Sequence, residues 1–387
     1  MLATSVLALL SFGTASLARE WDESVKQGRH DGQKSTIEYT TVGGFFLQDD
    51  PATDPSTFDY TTVNYGLLNR SYPTDKEFDR DGKKTQWQRF ENYVDTLNRG
   101  AGKDTQYKVL FMARHGEGYH NAAESYYGTP AWNCYWGPLD GNGTVVWRDA
   151  MLTEAGLAQC AKSHAFWAHA LAAEKMPAPQ AYYSSPLTRS AMTADLTFAG
   201  LPLPAGRPFR PTIKELLREG ISVRSCDARS DRARLAALFP RFAFEAGFAE
   251  ADPLWRGARG EGETDEAEVR RTKAALDDIF SARHPGTAAA AATWVSLTTH
   301  SGQISVALRV LGHRPFRLST GQAIPALVEA RTVRPPMATT TTTAIQSFTS
   351  EVTCRAPPAT SIAGQGCVCS DAAAAVVFAT ATPTPEA

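Results

Sequence analysis

The hydrophobic pattern between residues 106 and 335 alternates between two periods. Apolar runs rich in β-forming residues predict buried strands at 108–113, 181–184, 211–217, 294–299 and 326–333. Between them, apolar residues recur at helical spacing and predict helices at 153–171, 186–198, 228–238, 264–281 and 303–311. Strands that alternate with helices predict an α/β fold, a three-layer α/β/α sandwich with a mostly parallel central sheet.

The segments on either side of this domain have a different character. Residues 19–105 are polar and turn-rich, apart from core-like stretches at 37–47 and 87–97, and they predict an N-terminal extension packed on the core. After Arg334 the composition turns to Thr, Ala and Pro, so residues 336–387 are predicted to be a partly disordered C-terminal segment, with disorder from about residue 355.

The first 18 residues have the character of a secretory signal peptide. Val6–Leu10 is a short apolar core, and Ser16-Leu17-Ala18 offers small residues for cleavage, although no Lys or Arg precedes Leu10. Sequons at Asn69 and Asn142 add to the expectation of a secreted glycoprotein; a cytoplasmic protein is the alternative. No apolar run is long enough to predict a membrane span.

Charge and cysteine content narrow the class of protein. The net charge is −2 and no polybasic tract is present, so nucleic acid is not an expected partner. Six cysteines allow up to three disulfides, although buried free thiols at Cys134, Cys160 and Cys226 are an equal alternative. Because no CxxC pair occurs, a structural zinc site is not expected.

Two histidines directly follow predicted strands. His115 comes after the first strand and His300 after the fourth, and small residues follow each of them. Ligands of open α/β sheets bind at the carboxyl ends of the strands. A glycine there lets backbone N–H groups approach an anion, and the helix that opens at Gly302 would direct its positive end toward it.

These residue types suit phosphoryl transfer. The reaction needs a nucleophile, positive charge for the phosphoryl oxygens and an acid for the leaving oxygen. His115 can attack as a neutral imidazole, Arg114 and Arg189 can clamp the oxygens, and His300 can add a further donor. Because these side chains supply the charge, neither a metal ion nor another cofactor is expected.

The run Arg114-His115-Gly116-Glu117-Gly118-Tyr119-His120-Asn121 resembles the signature of the histidine phosphatase superfamily, also called phosphoglycerate-mutase-like. It is most similar to a fungal mutase-like subgroup. The resemblance spans residues 109–333, and four further blocks occur in the family's order: Asp149–Gly156, Ser184–Arg189, Leu217–Glu219 and Thr299–Gly302.

The resemblance implies a role for each matching residue. His115 would become phosphohistidine, and Glu219 would be the proton donor, with Glu215 as the competing candidate. The residues expected to bind the substrate phosphate are Arg114, Asn121, Arg189, His300 and Gly302. Glu117, at the family's acidic position after the motif, is a secondary site residue.

Two departures bear on the reaction. Gly118 and His120 stand where the mutase-type signature has Ser and Trp, so we expect a phosphatase that hydrolyses a small phosphate monoester. A phosphomutase and an inactive phospho-ligand-binding relative are the alternatives. The acid-phosphatase branch is disfavoured because His300 is followed by Ser301 rather than Asp. The insertion 126–147 is predicted to be either a pocket wall or a packed surface loop.

Overall fold

A computed structural model describes residues 35–281, 292–334, 346–362, 366–370 and 376–377. The predicted signal peptide lies outside these residues. The strands in chain order are β1 (Thr36–Thr41), β2 (Thr105–Arg114), β3 (Ala181–Ser184), β4 (Pro211–Ile213), β5 (Ala243–Phe244), β6 (Glu261–Glu263), β7 (Trp294–Thr299), β8 (Ala323–Val333), β9 (Phe348–Ser350), β10 (Thr360–Ile362), β11 (Gly366–Val368) and β12 (Val376–Val377).

The centre of the molecule is a seven-stranded sheet in the order β1-β8-β2-β7-β3-β4-β5. The four pairs from β2 to β5 are parallel, whereas β8 runs antiparallel to both of its neighbours. All six residues of β7 are buried, as expected for a central strand covered on both faces. The predicted α/β fold with a mostly parallel sheet is therefore confirmed.

The main helices are α1 (Asp75–Phe78), α2 (Gln86–Gly100), α3 (Tyr119–Tyr127), α4 (Glu154–Ala172), α5 (Thr188–Phe198), α6 (Arg232–Leu238), α7 (Asp265–Ser281) and α8 (Ser301–Val310). Side chains three apart on a strand point to opposite faces. On β2, Phe111 contacts Trp87 of α2 and Trp167 of α4, with ring centroids 6.2 and 5.2 Å apart. Lys108, on the other face, lies 5.6 Å from the ring of Phe280 in α7. Helices thus cover both faces.

Residues 35–104 contribute more to the core than their weak periodicity predicted. Strand β1 completes one edge of the central sheet by pairing with β8. Seven aromatic side chains from this part of the chain are at most 5% exposed: Phe45, Phe46, Tyr60, Tyr65, Tyr72, Trp87 and Phe90. Phe45, Phe46, Trp87 and Phe90 lie in the two stretches predicted to be core-like, whereas Tyr60, Tyr65 and Tyr72 lie in turns, a short 3-10 helix and irregular chain, where no periodic pattern marks a core residue.

The C-terminal segment is partly ordered, in contrast to the disorder expected from about residue 355. Strand β9 pairs with β6, and β10, β11 and β12 form a small antiparallel sheet. Disulfides join Cys134 to Cys367 and Cys354 to Cys369, whereas Cys160 and Cys226 are buried free thiols. Crosslinks restrict the unfolded chain, so they order a segment whose composition alone would not.

Within the described ranges, no helix has the length and apolar character that a membrane crossing requires.

Candidate active site

The two histidines predicted at strand ends lie side by side at the carboxyl edge of the sheet. Strands β2 and β7 are parallel neighbours, and their register places Arg114 opposite Thr299. The backbone N–H of His115 donates to the Thr299 carbonyl at 2.9 Å. As a result, the imidazole rings of His115 and His300 have centroids 5.0 Å apart.

The surroundings of His115 fit a nucleophile. The side chain is 1% exposed, and its Nδ1 lies 2.7 Å from the Gly116 carbonyl, which can only accept, so Nδ1 carries the proton. Nε2 is then the basic nitrogen, and Nε of Arg189 donates to it at 3.3 Å. Burial lowers the pKa of His115 well below its usual range, and the charges of Arg189 and Arg114 lower it further. The imidazole is therefore neutral and able to attack.

His300 is held by two hydroxyl groups. Its Nε2 lies 2.8 Å from Oγ of Ser185 and 3.2 Å from Oγ of Ser190. Its Nδ1 is buried and has no hydrogen-bond partner among the described residues. Burial lowers the pKa of His300, and the charge of Arg189 adds to that effect. A neutral imidazole in this position can hydrogen-bond a ligand oxygen beside His115.

Two guanidinium groups supply positive charge at the nucleophile. Arg189, in the first turn of α5, is 1% exposed and donates to the Cys226 carbonyl at 2.7 Å. Arg114 donates to the Leu318 carbonyl at 2.8 Å, while its Nε is buried without a partner in the described part of the chain. Both side chains keep donors that a phosphoryl group can use, and Arg stays charged at any working pH.

Glu219 lies against the first turn of α8. Its carboxylate accepts hydrogen bonds from the backbone N–H groups of Gln303 at 3.0 Å and Gly302 at 3.4 Å. A Cβ atom at Gly302 would overlap this carboxylate, so glycine at this position leaves room for the Glu219 side chain. The N–H of Gly302, predicted to bind the substrate phosphate, is thus used by Glu219.

Glu215 is held in a buried ion network and is poorly placed to donate a proton. Glu215 is fully buried, and its two carboxylate oxygens accept from Arg218 at 3.0 Å and Arg229 at 2.8 Å. Burial raises the pKa of Glu215, and the two guanidinium groups oppose that rise. Since both oxygens are engaged in a buried ion network, Glu219 is the better placed of the two donor candidates.

Asn121 and Glu117 shape the loop after β2. Oδ1 of Asn121 accepts from the Gly118 N–H at 3.0 Å, which closes the start of α3. The Glu117 carboxylate accepts from Oγ1 of Thr153 at 2.7 Å, at the N-terminus of α4. In this structure Glu117 therefore fixes the loop to α4, while the Asn121 amide nitrogen makes no hydrogen bond to the described residues.

Three residues near the site, His120, Ser185 and Ser190, have no site role that follows from the sequence. The ring of His120 lies 5.3 Å from that of His115, centroid to centroid. Its position inside the motif Arg114–Asn121 is a usable signal of a site role, in addition to marking a departure from the mutase-type signature. Ser185 belongs to the block Ser184–Arg189 and Ser190 directly follows it, although nothing in their spacing indicates that both hold His300.

The insertion 126–147 is a packed wall behind the site. Trp132 and Trp147 are 2% and 0% exposed, with ring centroids 5.4 Å apart, and they pack in one cluster with Cys226. Because the Cys226 carbonyl accepts from Arg189, this cluster supports the guanidinium that faces His115.

Comparisons with known proteins agree with this geometry. Residues 137–323 match the family model of the histidine phosphatase superfamily, branch 1. A "probable phosphoglycerate mutase" of Arthroderma benhamiae is 46% identical over 296 residues, which are 76% of this chain and 85% of that protein. A "phosphomutase-like protein 3" of Candida albicans is 32% identical over 76% of this chain and 81% of its own length.

The chain belongs to the histidine phosphatase superfamily. Among solved structures, it is similar to a phosphoglycerate mutase of Thermus thermophilus, with 22% identity and a TM-score of 0.30 over 56% of this chain and 91% of that one. A mycobacterial glucosyl-3-phosphoglycerate phosphatase gives 18% identity and a TM-score of 0.32 over 56% and 89% of the two chains. The similar proteins thus carry the names of both mutases and phosphatases.

Proposed function

We propose that this protein is a phosphatase that hydrolyses a small phosphate monoester through a phosphohistidine at His115. The observation that carries the proposal is the state of His115: a buried, neutral imidazole whose Nε2 faces the Arg189 guanidinium. A neutral imidazole beside fixed positive charge is reactive toward a dianionic phosphoryl group and is kept in place by the Gly116 carbonyl.

The arrangement supports two balanced steps. Nε2 of His115 forms a bond to phosphorus as the bond to the leaving oxygen breaks, and protonated Glu219 gives its proton to that oxygen. In the second step, water attacks the phosphorus, Glu219 takes the water's proton, and the bond to Nε2 breaks. Arg114, Arg189 and His300 hold the phosphoryl oxygens in both steps, so inorganic phosphate and an alcohol are the products.

Hydrolysis rather than phosphate transfer to an acceptor is favoured by two residues of the loop after β2. A mutase has to exclude water from its phosphohistidine until the phosphate is returned to substrate. Gly118 and His120 stand where the mutase-type signature has Ser and Trp. An imidazole is more polar than an indole, so this part of the pocket wall is more polar than in the mutase-type signature.

The decisive experiment is rapid-quench trapping of the phosphoenzyme with and without 3-phosphoglycerate. We expect the phosphohistidine to decay to inorganic phosphate faster than it passes to a second hydroxyl. A phosphoenzyme that lasts for minutes and transfers its phosphate to the acceptor faster than to water would identify a mutase. Failure to trap any phosphoenzyme on the active protein would remove the covalent mechanism.

We further propose that the protein is exported. Four of its six cysteines are paired in disulfides, which persist in oxidising compartments, and the sequon residues Asn69 and Asn142 are both exposed. Expression in a eukaryotic host should yield secreted protein that begins near Arg19 and loses mass on treatment with an N-glycosidase. Intracellular protein that keeps Met1 and carries no glycan would contradict the proposal.

A further inference from the structure

His120 is a buried imidazole without a partner. Its side chain is 7% exposed, and its Nδ1 is buried with no hydrogen-bond partner among the residues that the structure describes. Buried polar groups of folded proteins almost always have partners, and an unmade hydrogen bond is costly. A histidine in this state therefore calls for a functional explanation.

Its position suggests what it binds. Two imidazoles lie close to His115, with ring centroids 5.0 Å away for His300 and 5.3 Å away for His120. Each flanking ring has an Nδ1 that is buried without a partner in the described ranges. Burial lowers the pKa of His120 well below its usual range, as do the charges of Arg189 and Arg114. A neutral imidazole has one N–H to donate.

Gly118 creates the space for this ring. A Cβ atom at Gly118 would lie 2.7 Å from Nδ1 of His120, 2.9 Å from its Cε1 and 3.3 Å from the Met151 carbonyl. The backbone of Gly118, with φ −102° and ψ 164°, is open to any residue, so the requirement is for space rather than for glycine's conformational freedom. Gly118 and His120 are therefore a matched pair.

We propose that His120 binds the transferred phosphoryl group directly through a ring N–H, and that Gly118 is the residue that admits its ring. This inference rests on the proposed function, because it adds a ligand to the same phosphate pocket. The hydrogen bond joins a neutral donor to an anion, the class that contributes most to binding. The pair thus replaces an apolar contact of the mutase-type signature with a polar one.

The test measures binding of inorganic phosphate and of orthovanadate to the full-length protein. His120→Phe keeps an aromatic ring but removes both nitrogens, and we expect it to weaken binding of both anions about 10- to 100-fold. Gly118→Ser should weaken binding similarly by displacing the ring. The double variant should be no worse than His120→Phe alone, because both changes remove one contact.

His164→Phe is the matched control. His164 is half-buried in α4, where its Nδ1 lies 3.0 Å from the Thr197 carbonyl, and its replacement should leave phosphate affinity within about twofold of wild type. A folded His120→Phe protein with wild-type affinity would overturn the inference, as would fully additive effects of Gly118→Ser and His120→Phe.

A second measurement does not depend on the folding of any variant. In the wild-type protein, the ¹⁵N resonances of the His120 ring should shift when inorganic phosphate is added, and the absence of a shift would also overturn the inference. Failure of the proposed function gives a different result: the wild type would still bind phosphate through His120, but no phosphohistidine could be trapped at His115.

Discussion

Replacing His115 by alanine should lower the hydrolysis of an aryl phosphate at least about 10³-fold. That loss corresponds to about 4 kcal/mol of transition-state stabilisation. The physical reason is that the remaining groups of the pocket bind and polarise phosphate but cannot form the covalent intermediate. His120 does not substitute for His115, because its Nδ1 lacks the hydrogen bond to a carbonyl that orients the ring of His115. The measurement is the steady-state rate, together with quench trapping of ³²P on the protein.

His164→Ala provides the comparison for this variant. It removes a histidine of α4 that contacts Thr197 rather than the pocket, and its activity should stay within about threefold of wild type. A thermal-unfolding scan of each variant separates loss of fold from loss of chemistry. If His115→Ala is folded and retains activity within tenfold of wild type, the phosphohistidine mechanism is wrong.

Replacing Glu219 by glutamine should have the second largest effect, and the effect should depend on the leaving group. Glutamine keeps one oxygen that can accept from the Gln303 N–H, the shorter of the two hydrogen bonds, while its amide nitrogen cannot accept from the Gly302 N–H. It cannot donate a proton in the manner of a carboxylic acid. An alkyl phosphate should react about 10²- to 10⁴-fold more slowly, whereas an activated aryl phosphate, whose leaving oxygen needs little help, should lose much less.

The matched comparison is Glu215→Gln. That side chain lies between Arg218 and Arg229 in a buried network, and removing its charge should cost several kcal/mol of stability, on the order of 3–5. Any loss of activity relative to wild type should be the same for the alkyl phosphate and the aryl phosphate. If Glu219→Gln loses equal activity on alkyl and aryl phosphates, Glu219 is not the proton donor.

Much of the fold could be predicted because local pattern and tertiary structure agree. The strand predicted at 294–299 is observed at Trp294–Thr299, and the helix predicted at 264–281 is observed at Asp265–Ser281. The predicted third strand, 211–217, ends at Ile213, because Glu215–Leu217 turns into the buried ion network. Periodicity records which face is apolar but not where a buried charge interrupts a strand.

The candidate site was predictable to the extent that its residues follow strands in the sequence. His115 and His300 could be placed together because the carboxyl ends of parallel strands share one edge of the sheet. The finer roles could not be predicted. That Gly302 makes room for Glu219 depends on how a loop packs against α8, and that Gly118 makes room for His120 depends on the direction in which the His120 ring points. No spacing along the chain encodes those distances.

The disulfide between Cys134 and Cys367 requires that part of the protein folds before this bond forms. Its cysteines are 233 residues apart, and at roughly 5–20 residues per second the ribosome adds Cys367 roughly 10–50 s after Cys134. During that interval Cys160 and Cys226 emerge as alternative thiol partners. Correct pairing therefore requires that the nascent core bury those two thiols before they react with Cys134. Yield in a heterologous host should accordingly depend on its disulfide isomerases as well as on its oxidants.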